Sequence, residues 1–280
     1  MVSGRMIIMR INNNISAMNS YRNLSTVNES MSKIMEKLSS GERINRAGDD
    51  AAGLAISEKM RGQIRGLYMS TKNAQDGISM IQTAEGALNE SHAIIQRMRE
   101  LAVQAANDTN TTEDREKLQL EISQLVSELN RIASTTEFNT KPLLDGEFDG
   151  DGLKFHVGAN KDQNVSLTFK DMKANALGVD GINLSTQESA NEAIETINKA
   201  LEGVSEERAK YGAMQNRLEH TINNLRVAGE NLQAAESRIR DTDMASEIVK
   251  FNKSKIIAEA GTAMLAQANT APQAILQLLQ

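Results

Sequence analysis

The chain has 280 residues, a formal net charge of -6, 3% aromatic residues, and neither Cys nor Trp. This composition excludes a disulfide framework and a cysteine-built metal site, argues against nucleic acid as a partner, and leaves too few aromatics for the large core of a compact enzyme. The Ile, Leu, Met and Val that remain are spread evenly, as expected if apolar surface is buried in narrow seams between helices.

Met1 to Ile8 (MVSGRMII) has no apolar core of secretory length and no small-residue cleavage site, so residues 1–8 read as an upstream extension or tag, with Met9 as the initiator. The first helical segment runs from about Asn12 to Ser40 and carries Leu24, Val27, Met31, Ile34 and Leu38 on one stripe. Gly41 is placed to end it in the left-handed conformation. In the joint that follows, Arg43 and Arg46 are expected to face Asp49 and Asp50 across a turn at Gly48.

A second helix, ending near Ala106, holds Met60, Ile64, Leu67, Ala74, Ile78, Ile81, Leu88 and Ile95 in nearly unbroken register. NDTNTT at 107–112 then interrupts the pattern, with Thr112 as the expected N-cap before Glu113 and Asp114. The third segment, with Leu118, Ile122, Leu125, Leu129 and Ile132 on one face, is expected to fold back on the second. Glycines and Pro142 between Thr135 and Gly152 stop it. Alternating Leu153, Phe155, Val157 and Val165, Leu167, Phe169 predict one β-hairpin at about 153–169.

Ser185 and Glu188 have capping-box spacing and open a fourth helix of roughly fifty residues, ~80 Å long. Its apolar spacing takes an extra three-step from Tyr211 to Met214 to Leu218, which predicts a local distortion of the supercoil. The fifth segment starts near Asp243, and its last stretch, Gly261 to Gln280, has no charged side chain but includes Met264, Leu265, Ile275, Leu276 and Leu279. An apolar, uncharged terminus needs a surface to pack on, and the first segment offers one. The predicted fold is therefore mainly α: a long antiparallel helical bundle or coiled-coil rod with one small β-hairpin region.

Little in this pattern carries chemistry. There is no phosphate-binding loop, no H-E-x-x-H and no G-x-S-x-G. His92, His156 and His220 lack partners at metal-ligand spacing, and the adjacent Asp49 and Asp50 suit cap or loop roles better than acid–base catalysis. No cofactor, no metal and no enzymatic activity are expected. No run reaches the ~18 apolar residues needed to span a bilayer, so no membrane partner is expected either.

The string KLSSGERINRAGDDAAGLAISEKM at 37–60 closely resembles the N-terminal signature of bacterial flagellin. MRINNNISAMNSYRNL from Met9, KNAQDGISMIQTAEGALNE from Lys72, QRMRELAVQAAND from Gln96, NRLEHTINNL from Asn216, ENLQAAESRIRDTDMA from Glu230 and AMLAQAN from Ala263 extend the resemblance in the family's order over nearly all helical segments.

The resemblance implies a structural subunit that self-assembles into the helical flagellar filament, a propeller for motility on the cell exterior. Residues 9–45 and 243–280 would form the terminal-helix domain of the inner tube, and 46–242 the surrounding outer tube. Leu24, Val27, Met31, Ile34, Leu38, Met264, Leu265, Ile275, Leu276 and Leu279 would form the assembly seam. Because Asp171 to Leu184 is short, the chain resembles a minimal form without the projecting outer domains. The family implies export as an unfolded monomer through the flagellar type III apparatus, and an export chaperone, a filament cap and hook–filament junction proteins as partners. It also implies a site for the animal innate immune flagellin receptor at Arg97, Leu101 and Glu121. Met9 to Ser40 and Ser246 to Gln280 are expected to order on assembly. The nearest alternative is a hook-filament junction (hook-associated) protein, which shares the terminal helices.

Overall fold

The computed structural model describes residues 13–150 and 152–278, with side chains up to residue 271. Among these residues the chain forms α1 (Ile15–Ser40), α2 (Ala51–Ala105), α3 (Thr112–Thr135), β1 (Glu137–Phe138), β2 (Lys141–Pro142), β3 (Leu153–His156), β4 (Asn164–Leu167), α4 (Gln187–Arg240) and α5 (Met244–Leu278). It is mainly α, as the spacing of its apolar residues predicts. Two compact units emerge, one from the chain up to Arg61 and from Gln233 onward, the other from Gly62 to Leu232.

The first unit is organised by α1 and α5, which pack on each other. Asn14 caps α1 by accepting a hydrogen bond from the Ala17 amide, and Gly41 ends it at φ 73° with its N–H on the Lys37 carbonyl. Only glycine adopts that φ without a side-chain penalty. Ala17, Ser20, Leu24, Val27, Met31, Ile34 and Leu38, in steps of three and four, are the half-covered side of α1. Phe251, Ser254, Ala258, Gly261, Leu265 and Ala268 do the same on α5. Gly261 lets the backbones come close, since a Cβ there would lie 3.3 Å from Leu24 Cδ1. Asp243 starts α5 by accepting from the Ala245 and Ser246 amides.

The joint between α1 and α2 differs from expectation. Arg43 and Arg46 do not pair with Asp49 and Asp50. The Asp49 carboxylate accepts the backbone amides of Asn45 and Arg46 instead, and Asp50 caps α2 through the Gly53 amide. Arg46 reaches back to Glu36 at 2.8 Å, and the Arg43 guanidinium donates to the Ile239 carbonyl. A turn this tight satisfies its carboxylates with local N–H groups before a long flexible guanidinium can compete.

The second unit has a continuous core. Ile81, Leu88, Ile95, Met98 and Leu101 of α2, Ile122 and Leu129 of α3, and Ile197, Val204, Tyr211 and Leu218 of α4 are fully covered. Phe169 joins them, its ring 5.4 Å from that of Tyr211. The β3–β4 hairpin pairs Leu153 with Leu167 and Phe155 with Val165. It lies on α2 where glycines leave room: a Cβ at Gly77 would meet the Phe155 ring at 3.1 Å and one at Gly66 the Ala159 Cβ at 3.0 Å. Ser70 Oγ fastens the hairpin by donating to the Gly158 carbonyl at 2.7 Å.

Three local expectations shift. Besides the predicted hairpin, β1 and β2 form a second, two-residue one, closed by Asn139 and Thr140 at φ 51° and 64°. Thr111, not Thr112, caps α3, in a reciprocal capping box with Asp114. Thr186 and Ser189 exchange the corresponding bonds at α4, because the Ser185 hydroxyl is already held by Asn183 Oδ1.

Candidate functional site

The first unit presents more apolar surface than it covers. No residue of α1 is buried, although the helix is striped for burial. Outward lie Ile15, Met18, Tyr21 and Met35 on α1, and Met244, Ile248, Val249, Ile256, Ile257 and Met264 on α5, each more than two-fifths exposed. Contiguous exposed apolar side chains of this kind mark a surface that meets another macromolecule. One groove of about 580 Å³ is lined by Ala17, Met18, Tyr21, Arg22, Leu265 and Asn269. A second, of about 290 Å³, lies among Leu24, Val27, Ile257, Gly261 and Met264.

Residues assigned to the seam take different places here. Leu24, Val27, Met31, Ile34, Leu38 and Leu265 are half-covered on the sides where α1 and α5 meet. Met264 points outward, 64% exposed. Ile275 and Leu276 fall within the backbone of α5, but their side chains lie outside the described residues, as does the whole of Leu279. Residues 1–8 lie outside them too.

An ionic cluster that sequence spacing does not reveal closes the base of this unit. Arg61 lies 3.1 Å from Glu236, 3.5 Å from Glu42 and 3.7 Å from Glu58. Arg240 lies 3.0 Å from Glu42 and 2.5 Å from Glu58. Hydrogen bonding to Glu58 raises the Arg240 guanidinium pKa above its ordinary value, ahead of the contribution of Glu42. Backbone bonds run alongside, from the Arg43 amide to the Arg240 carbonyl and from the Thr242 amide to the Gly41 carbonyl. The cluster joins segments some two hundred residues apart, so no local pattern signals it.

On the second unit, Arg97 donates from Nε to Glu121 Oε1 at 2.9 Å and from Nη1 to Glu100 at 3.0 Å. The bonds to Glu121 and then Glu100 raise its pKa. Leu120 stands beside them, 68% exposed. Leu101, by contrast, is covered to 1% exposure on the stripe of Ile95 and Met98, where it packs in the core. Arg97 and Glu121 thus come together at the surface and Leu101 lies beneath it.

Among the described residues nothing resembles a catalytic constellation. His156 Nδ1 bonds Asn164 Oδ1 and His92 Nε2 bonds Gln96, both local contacts. Among the described residues no group of three His, Cys, Asp or Glu could hold a metal ion, and no helix is long and apolar enough to cross a membrane. A cleft of about 650 Å³ in the second unit, lined by Leu67, Tyr68, Lys72, Leu225 and Arg226, offers no acid–base pair.

Comparison with known proteins accounts for this arrangement. The family model described as the bacterial flagellin N-terminal helical region matches residues 11–149, and that of the C-terminal helical region matches residues 194–279. The chain is 56% identical to a flagellin of Halalkalibacterium halodurans and 54% identical to a flagellin of Bacillus subtilis, covering 97% of this chain and 100% of each relative. A solved structure of a flagellar hook-associated protein from Vibrio parahaemolyticus has a TM-score of 0.57 at 12% identity, over 69% of this chain and 100% of that one. That likeness extends to the fold alone, whereas the identity to named flagellins runs the full length and does not favour the junction-protein alternative.

Proposed function

We propose, for a chain that belongs to the bacterial flagellin family and is a structural subunit of the extracellular flagellar filament, not an enzyme, an assembly driven by its terminal helices. Residues 9–45 and 243–280 form the inner tube, and 46–242 the outer tube. A surface that meets a different surface on the next copy, repeated by a rotation that does not close, generates an open filament. The observation that carries this reading is the striped α1 without a single buried residue, beside an α5 with exposed Ile248, Val249, Ile256 and Met264. In the filament, neighbouring copies cover those side chains.

The same deficit supports ordering on assembly. A helix pair that cannot bury its apolar side within one chain gains most of its stability from partners, so 9–40 and 246–280 are largely unfolded in the free subunit and in export through the type III apparatus. The exposed apolar side chains of α1 and α5 also suit an export chaperone, the filament cap and the junction proteins as further partners. Arg97 and Glu121 at the surface, with Leu101 packed beneath them, form the site offered to the animal flagellin receptor by free monomer.

Seeded growth of the purified protein tests the central claim. Electron microscopy is expected to show long filaments of uniform diameter, with a gain of helical circular dichroism on polymerisation; dimers or short oligomers refute it. A receptor reporter assay on purified monomer, with R97A as control, tests the recognition surface, and a silent wild type refutes that part alone.

A further inference from the structure

We infer that Asn14 sets the register of the terminal helix pair by completing α5 at the level where Pro272 interrupts its hydrogen-bond ladder. In an α-helix the carbonyl of one residue accepts the N–H of the residue four further on. For Ala268 that residue is Pro272, which has no N–H, within a helix that continues to Leu278. Asn14 Nδ2 donates to the Ala268 carbonyl at 2.7 Å. The other half of the same amide, Oδ1, accepts the Ala17 amide at 3.0 Å and caps α1. One side chain therefore begins α1 and completes α5.

Among the described residues this is the one side-chain hydrogen bond between α1 with its cap and α5. The rest of the contact is a heptad of small and aliphatic side chains, Ala17, Leu24, Val27 and Met31 against Ala258, Gly261, Leu265 and Ala268. Such a seam discriminates weakly against a slip of seven residues, because each apolar position meets another apolar position. A slip does separate Asn14 from the only carbonyl level that proline leaves without its helical donor. A single polar group fixing register in an apolar seam is a device coiled coils use widely. Asn suits the position because it both accepts and donates; Asp would cap equally well and could not donate. Asn14 is thus a positioning residue for assembly, and its consequence rests on the filament reading above, although its geometry does not.

The test is a double-mutant cycle of N14D and P272A on the purified full chain, read as the critical concentration for seeded growth. N14D keeps the cap and loses the donor, and P272A supplies the missing N–H. We expect N14D alone to raise the critical concentration about tenfold, and N14D/P272A to stay within about threefold of P272A. An N14D that matches wild type, or that costs as much in the P272A background, overturns the inference and leaves the filament reading intact. If the wild type forms no filaments, the filament reading fails instead. The claim that the ends order only on assembly falls with it, and the cycle is then read on the thermal unfolding of the helix pair in the free chain, where coupling of the two positions supports the register key and additivity overturns it.

Discussion

Replacing Arg240 by alanine should loosen the base of the terminal unit. The side chain is 11% exposed and serves Glu42, 25% exposed, and Glu58, 51% exposed. Its Nη1 makes a charge-assisted hydrogen bond to Glu58, which water already screens on one side. Its Nε lies 3.0 Å from Glu42 but off the hydrogen-bond axis, so that leg is a coulombic contact in a mostly covered setting. Taking ~1 kcal/mol for each leg, after discounting the exposed one, gives a loss of ~2 kcal/mol. Arg61 would then face three carboxylates alone.

The backbone bonds of the Arg43 and Thr242 amides report this opening, since both cross the strip that Arg240 holds. Hydrogen exchange on assembled filaments should show those amides exchanging ~30-fold faster in R240A, at 1.4 kcal/mol per tenfold. The amide of Leu88, deep in the other unit, should not change. In ~1 M salt, where the Debye length falls to about 3 Å, the Glu58 leg should fade and the difference shrink without vanishing. Unchanged exchange at Arg43 and Thr242, or an equal change at Leu88, would refute the assignment of the cluster as a local clasp.

Three further outcomes follow from single groups. The Tyr211 hydroxyl is fully covered with no protein hydrogen-bond partner among the described residues, and burial, then the nearby Glu207 charge, pushes its pKa up. Y211F should therefore match or exceed wild type by ~1 kcal/mol, a thermal midpoint rise of ~2–4 °C, and a clear loss would show that the hydroxyl is satisfied. G41A meets no atom within 4 Å but must hold φ 73°, so chemical unfolding of assembled filaments should register a loss of ~1–2 kcal/mol, with G41N less affected. Amide bonds from Arg46 and then Asn45 lower the Asp49 pKa. Its contribution is therefore present above the ordinary aspartate range and lost as pH falls through the lowered folded value, and an acid titration of D49N should lack that component.

The long seams are legible in the sequence because an apolar step of three and four has one structural solution, and Ile81, Leu88, Ile95 and Leu218 all fall where it places them. Cap positions slip by one residue where two neighbours could both cap: Thr111 wins over Thr112 through its reciprocal bonds with Asp114, and Thr186 over Ser185 because the Ser185 hydroxyl is already taken by Asn183. The β1–β2 hairpin escapes because strands of two residues carry no period, although Asn139 at a positive φ is the kind of turn residue that could have announced it. Leu101, which the family motif implies for recognition, also sits at helical spacing from Ile95 and Met98 and so on the covered stripe. Pairs such as Arg61 with Glu236, or Asn14 with Ala268, have no sequence signal at all, because they are made by the fold's return on itself.

The two units divide the work of stability unequally, and that division bears on how a filament subunit could be both exportable and durable. The second unit closes its core within one chain, through α2, α3, α4 and a hairpin seated on glycines. The first has the pattern of a core without the burial: small residues and a tight Leu24–Gly261 approach on the inner side, large aliphatic residues on the outer. Side chains such as Ile15, Met18, Val249, Ile256 and Met264, each roughly half covered or less, still hold ~1 kcal/mol or more apiece for a surface that covers them. In the proposed assembly that surface belongs to other copies, so the stability of the terminal pair grows with their concentration, as for any state stabilised by binding. On that proposal a subunit alone is poorly held at its ends and can be unfolded for passage. The same ends become its best-buried part once neighbours are in place, and a register fixed by Asn14 decides which neighbour faces they meet.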